Sequence, residues 1–228
     1  MLQRNAEASA RPMARITGVV YLLYFLTAIL GELFLKGLVV DGNAAATANN
    51  ILAHQPLFRL GIATGLIATA CYVAVTALFY ELFRPVNRSL SLLAAFFSLV
   101  GCAIEVLRLL NLAPLRINSL AFFGPYCLLL GYLIFRSTFL PRILGVLMAF
   151  AGFGWLIFLL PLGNHLSTYL KIVGFVAEAS LMLWLLVMGV NLSKRKRKKE
   201  LGELAERSQP LGNATALTDD PPSAPVIM

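Results

Sequence analysis

The sequence has few of the residues on which soluble enzymes depend. Among its 228 residues only 13% are charged, and a soluble domain averages about a quarter. It has two histidines, His54 and His165, and three cysteines, Cys71, Cys102 and Cys127. All three cysteines lie in apolar segments without a CxxC pair, and a free cysteine there packs like a small hydrophobic residue. We therefore expect no disulfide and no thiol chemistry.

Motifs of catalysis and nucleotide binding are also missing. The sequence contains no Walker loop and no GxGxxG, HExxH or GxSxG pattern. No spacing connects His54 and His165 to a third metal ligand, so we expect no metal and no cofactor. These absences weigh against an enzyme without excluding one.

Long apolar segments are what the sequence has instead, because 59% of its residues are hydrophobic. A helix needs about 20 residues to cross a hydrocarbon core of about 30 Å. Backbone groups in lipid must be satisfied within the protein, and these segments lack the period-2 alternation of barrel strands. We predict an all-α integral membrane bundle of six transmembrane helices. They lie near residues 15–38, 57–83, 89–114, 117–136, 140–162 and 168–192.

Three regions follow from this pattern. Residues 1–14 form a short cytoplasmic segment, residues 15–192 the transmembrane domain, and residues 193–228 a basic and then disordered cytoplasmic tail. The first apolar segment spans about 25 residues, whereas that of a signal peptide spans about 7–15, so we expect it to be retained.

The connection between the first two transmembrane helices contains residues that favour helix starts. Thr47 or Asn49 suits the N-cap of a short interfacial helix, and Pro56 suits the first turn of the helix that follows.

Basic residues predict the orientation. With an even number of helices and a cytoplasmic N-terminus, most of the nineteen lysines and arginines lie on the cytoplasmic side, as the positive-inside rule requires. The residues that anchor this topology are Arg84, Arg88, Arg136, Arg142, Lys194, Arg195, Lys196, Arg197, Lys198 and Lys199. We predict both termini in the cytoplasm of a bacterium and the chain in its inner membrane. The terminal basic cluster then meets anionic lipid headgroups, not nucleic acid.

Several stretches resemble a known family. They include "ARITGVVYLLYFLTAILGE" (14–32) and "YCLLLGYLIFRSTFLPRILGVLMAFAGFGWL" (126–156). Over roughly residues 14–192 the chain is similar to the bacterial membrane family catalogued as domain of unknown function 4386. The resemblance implies a multi-pass membrane protein and supplies no reaction, so no catalytic residue is carried over.

The second of these stretches also has a direct physical interpretation. Pro141 suits a helix start, where its missing N–H costs nothing. Gly145, Ala149 and Gly152 follow at spacings of four and three, which predicts close contact with a neighbouring helix.

Charged side chains inside the apolar segments are the candidate site. Glu105 and Arg108 are three residues apart, so they share a helix face and can pair. Asn111 lies one turn further along, and Glu178 and Glu32 fall at a similar depth on two other helices. Each such charge costs about 2.5–3.5 kcal/mol on insertion scales, so these residues should face the interior of the bundle. We expect an outward-facing polar pocket.

The pocket leaves two functions open. One arginine cannot neutralise three carboxylates, so either some are protonated or water and Lys36, Arg116 and Lys171 reach them from outside. The first hypothesis is a protein of unknown biochemical activity that binds or translocates a small solute there. The alternative is a non-enzymatic membrane accessory or scaffold protein, whose charges only lock helix packing and whose glycine-rich faces bind a partner. Assembly with copies of itself or with another chain stays open in both.

Overall fold

Seven α-helices make up the part of the chain that the structure describes, and no strand occurs in it. This computed structural model describes residues 2–40, 42–110, 119–157 and 163–189, with side chains at residues 12–40, 42–110, 119–157 and 169–189. The helices are α1 (Leu2–Lys36), α2 (Ala44–Ala53), α3 (Gln55–Phe83), α4 (Arg88–Leu109), α5 (Leu120–Arg136), α6 (Arg142–Ile157) and α7 (Gly163–Val187).

Six of these helices form a closed ring. In the order α1, α3, α4, α5, α6 and α7, each packs antiparallel against the next, and α7 returns to α1. The closing contact is tight, because a Cβ atom added to Gly18 would lie 2.6 Å from the backbone nitrogen of Leu186. The short α2 lies at one end of the ring, against α3.

The start of α2 corrects an expectation from the sequence. The N-cap is Asn43, whose side chain accepts a hydrogen bond from the backbone of Ala46 at 2.9 Å, not Thr47 or Asn49. Thr47 lies in the first turn, where its hydroxyl accepts a hydrogen bond from the backbone N–H of Val40 at 3.0 Å. Pro56 does lie in the first turn of α3, as predicted.

Two tight turns lie together at the other end of the ring. The first joins α3 to α4, where the Asn87 side chain caps α4 by accepting from the Leu90 N–H at 3.0 Å. The second joins α5 to α6, and it begins where Ser137 becomes extended, with ψ 150°. The ring of Phe83 stacks on that of Phe139 with centroids 5.8 Å apart, so the two turns are in contact.

The α5–α6 contact is built on glycine. A Cβ atom added to Gly131 would lie 2.7 Å from the carbonyl oxygen of Gly145, and the reverse distance is also 2.7 Å. Two turns further along α6, a Cβ atom added to Gly152 would lie 2.8 Å from the carbonyl oxygen of Gly124. The close approach predicted for Gly145, Ala149 and Gly152 is therefore present, and these glycines contact a helix of the same chain.

Four helices within the described residues are long and apolar enough to cross a membrane. The spans are Pro12–Lys36, Gln55–Phe83, Arg88–Leu109 and Tyr169–Val187. The apolar helices α5 and α6 have 17 and 16 residues, fewer than the roughly 20 that a crossing needs. Large apolar side chains such as Leu33, Phe150 and Phe153 are exposed on the outside of the ring, which suits a lipid environment.

Candidate functional site

A cavity lies inside the ring, at the end opposite the two tight turns. Its inner part has a volume of about 300 Å³, and an overlapping part of about 700 Å³ widens between α1 and α7. The walls come from the second half of α1, residues 61–72 of α3, the last two turns of α4, the first turn of α5, and parts of α6 and α7. Its polar wall residues are Glu32, Thr69, Glu105, Arg108, Ser119 and Glu178, and the aromatic ones include Tyr24, Tyr72, Phe123 and Trp155.

Glu105 and Arg108 form the ion pair that their spacing predicts. The Arg108 guanidinium donates from Nε to Oε2 at 3.1 Å and from Nη2 to Oε1 at 2.5 Å. The Ser119 hydroxyl also donates to Oε2 of Glu105, at 3.1 Å, which connects α4 to α5. The Glu105 side chain is 26% exposed and that of Arg108 64% exposed. The pair therefore extends from the wall toward the open part of the cavity.

Glu178 is held differently, because its hydrogen-bond partner is a neutral tyrosine hydroxyl. Tyr21 donates its hydroxyl to Oε2 of Glu178 at 2.9 Å, across α1 and α7. The Glu178 residue is only partly buried, and it lines both parts of the cavity. Within the described residues no lysine or arginine lies within ion-pair distance of its carboxylate.

Glu32 lies on α1 and lines both parts of the cavity. It is close enough to Arg108 for an electrostatic interaction, but no salt bridge joins them. Lys171 lines only the wider part, toward the opening. Among the five ligand-binding candidates, the structure thus brings Glu32, Glu105, Arg108 and Glu178 to one cavity, and Asn111 lies outside the described residues.

The aromatic part of the wall was missed in the sequence. Tyr24 and Tyr72 have ring centroids 4.7 Å apart, and Phe123 meets Tyr72 edge-on at 5.3 Å. Tyr21 and Tyr24 are three residues apart in the first apolar segment, so they share one face of α1. Tyrosines usually lie at membrane interfaces, and a tyrosine pair deep within an apolar segment is the signal that would have indicated the site.

The arginines predicted as topology anchors lie at the end away from the cavity. Arg84 and Arg88 flank the α3–α4 turn, and Arg136 and Arg142 flank the α5–α6 turn. The guanidinium of Arg136 lies 6.0 Å from the Tyr132 ring, and that of Arg142 lies 5.4 Å from the Phe135 ring. Residues 194–199 lie outside the described part of the chain.

The fold and the cavity together define a class: an all-helical protein with membrane-type apolar helices around an internal polar cavity. The chain belongs to the family described as domain of unknown function (DUF4386), whose profile matches residues 16–119 and 116–189. This confirms the resemblance predicted from the sequence. It is also similar to a protein of Archaeoglobus fulgidus described as uncharacterized, with 31% identity over 128 residues, 54% of this chain and 79% of that protein. No solved structure matches the chain.

Proposed function

We propose that the protein binds a small solute in this cavity and translocates it across the membrane. One observation carries the proposal: four ionisable side chains from α1, α4 and α7 line the wall of a single cavity. Ionisable groups within membrane segments are expensive, and they mark solute and ion pathways in many membrane proteins.

The pairing of these groups is incomplete, and this favours binding over a purely structural role. Glu105 has a cation and a hydroxyl as partners, which offset the cost of removing it from water. Glu178 has only the tyrosine hydroxyl as a hydrogen-bond partner within the described residues, and no salt bridge there involves Glu32. A structural lock gains nothing from leaving two carboxylates without a counter-charge, whereas a binding site needs groups that a ligand can engage.

We propose six crossings, by α1 and α3 to α7, with both termini on the cytoplasmic side of a bacterial inner membrane. The support is geometric: six alternating helices place both basic turns at one end, where the positive-inside rule puts the cytoplasm. Helices as short as α5 and α6 are accommodated by local thinning of the bilayer. The cavity then opens to the outside, and the basic residues 194–199 meet anionic headgroups.

An accessory or scaffold protein is the second candidate, and two hydrogen bonds favour it. Ser119 to Glu105 connects α4 to α5, and Tyr21 to Glu178 connects α1 to α7. Polar contacts of this kind fix helix packing without any ligand. The glycines that would serve a partner in such a protein are less available, since Gly131, Gly145 and Gly152 pack within the chain.

The test is ligand-dependent thermal stabilisation of the purified protein. A panel of amines, carboxylates, sugars and nucleosides is screened in detergent, and we expect one class to raise the melting temperature. Glu105→Gln and Arg108→Gln should keep the helical circular dichroism of the parent and lose that rise. Glu81→Gln is the matched control, because Glu81 pairs with Arg84 at 3.6 Å, outside the cavity.

Two results would contradict solute binding at Glu105 and Arg108 in this cavity. One is a panel in which no class stabilises the parent protein. The other is a set of variants that unfold at lower temperature without ligand and yet respond to ligand like the parent, which is the behaviour of a packing lock.

A further inference from the structure

The charge of the cavity wall is unbalanced. Among the residues that the structure describes, three carboxylates and one guanidinium line the inner part, and that guanidinium is engaged with Glu105 at 2.5 to 3.2 Å. Lys171 joins only the wider part. The inner part therefore has an excess of negative charge, and the field of such a cavity attracts cations.

Three hydroxyl donors on and around the wall are committed already. The Ser119 hydroxyl donates to Glu105, the Thr69 hydroxyl donates to the backbone oxygen of Gly65 at 2.9 Å, and Tyr21 donates to Glu178. What these groups leave facing the cavity are acceptor lone pairs. A ligand that engages these oxygens and the carboxylates must bring donors, and an ammonium group brings up to three of them.

Aromatic rings surround the same space. Tyr24 from α1, Tyr72 from α3 and Phe123 from α5 are in contact with one another through Tyr72, and all three line the inner cavity. The face of an aromatic ring has a negative potential, which favours cations lying over it, while the ring itself offers apolar contact. Carboxylates and aromatic rings on one wall are the combination that recognises amines.

We propose that the ligand is a small organic ammonium ion, with its charged nitrogen at Glu178 and its apolar body against Tyr24, Tyr72 and Phe123. This rests on the proposed binding function and names its ligand class. Glu178 is the anchor because it is partly buried, lines both parts of the cavity and has no cationic partner within the described residues. A volume of about 300 Å³ is at the low end for small-molecule sites, so the ligand is small.

The experiment compares three probes of one shape: 2-phenylethylamine, 2-phenylethanol and phenylacetate. The protein has two tryptophans, and Trp184→Phe leaves Trp155, which lines the cavity, as the single tryptophan, whose fluorescence is excited selectively over that of the seven tyrosines. We expect saturable fluorescence changes with the amine at a Kd at least about tenfold below that of the alcohol, and no change with phenylacetate. Glu178→Gln should raise the Kd of the amine about tenfold or more, and Glu81→Gln should leave it unchanged.

Tyr24→Leu gives a second measurement that does not depend on the folding of the Glu178 variant. It removes a ring face at similar volume and should weaken amine binding several-fold. Equal binding of the alcohol or of phenylacetate would overturn the proposal, and so would parent-like affinity in folded Glu178→Gln. If another class of the panel stabilises the protein and amines do not, the amine assignment falls and solute binding stands. If no class stabilises it, both fall.

Discussion

At the scale of single residues, a buried hydroxyl pair joins α3 to α4. Oγ1 of Thr76 lies 2.6 Å from Oγ of Ser98, and both residues are almost fully buried. Thr76 donates to the backbone oxygen of Tyr72 at 2.9 Å, so its hydroxyl is left to accept from Ser98. Because no water reaches this position, a lost partner there is not replaced.

Thr76→Val should therefore lower the free energy of unfolding by about 0.5–2 kcal/mol, since Ser98 loses its acceptor while shape is kept. Unfolding in mixed micelles, titrated with dodecyl sulfate, measures it. Thr27→Val is the matched control, because the Thr27 hydroxyl bonds only to backbone oxygens of its own helix. An equal loss in both variants would show that the link between helices adds nothing.

Some contacts between the site residues can be predicted from the sequence, and others cannot. Glu105 and Arg108 are three apart on one helix, so helix geometry alone brings them together. Tyr21 and Glu178 are 157 positions apart, and their hydrogen bond exists because α7 returns to α1. Similar depth made Glu178 a candidate, but nothing local in the sequence indicates its partner.

At the scale of helices, the α5–α6 contact depends on the absence of two side chains. Gly131 and Gly145 face each other so closely that either Cβ would lie 2.7 Å from the opposite carbonyl oxygen. In lipid, such backbone contact is a main source of helix association, because burying apolar side chains gains little there.

Gly131→Ala should separate α5 from α6 and lower the free energy of unfolding by about 1–3 kcal/mol, because the clash is with backbone and cannot be relieved by a rotamer change. The same dodecyl sulfate titration measures it. A Cβ atom at Gly37 would meet nothing within 4 Å, so Gly37→Ala is the control and should unfold like the parent. A Gly131→Ala protein as stable as this control would contradict the packing described.

The existence of the helices was predictable from the sequence, but not every position at which they begin or end. The length of each apolar segment predicted each of the six ring helices, because only a helix satisfies its own backbone hydrogen bonds inside lipid. The cap of α2 was placed wrongly because several polar residues there suit an N-cap, and the turn at Gly42, with φ +74°, favours Asn43. Four of the six reach spanning length within the described residues, and α5 and α6 do not.

At the scale of the whole molecule, the ring is what creates the cavity. α1 and α7 touch where Gly18 meets Leu186 and where Phe25 meets Phe175, with ring centroids 5.4 Å apart, and the wider part of the cavity lies between them beyond Phe25. Two antiparallel helices separate the two basic turns, which predicts that the turns share an end, and the stacking of Phe83 on Phe139 shows them in contact. The order of helices around the ring was beyond prediction, because it depends on contacts between distant segments.

The most direct test of the account is the reaction of two engineered cysteines with a charged, membrane-impermeant thiol reagent. Ala28→Cys lies on the cavity wall, and Leu30→Cys lies on the exposed outer face of the same helix, about 3 Å away in depth. Cys71, Cys102 and Cys127 are replaced by alanine in both proteins, which are embedded in vesicles of known orientation.

We predict that Ala28→Cys reacts from the external side at least about tenfold faster than Leu30→Cys, because thiols react as thiolates, which water stabilises and lipid does not. Equal, slow reaction of both cysteines would contradict a solute-accessible cavity within the membrane. Reaction of Ala28→Cys from the cytoplasmic side alone would contradict the outward opening.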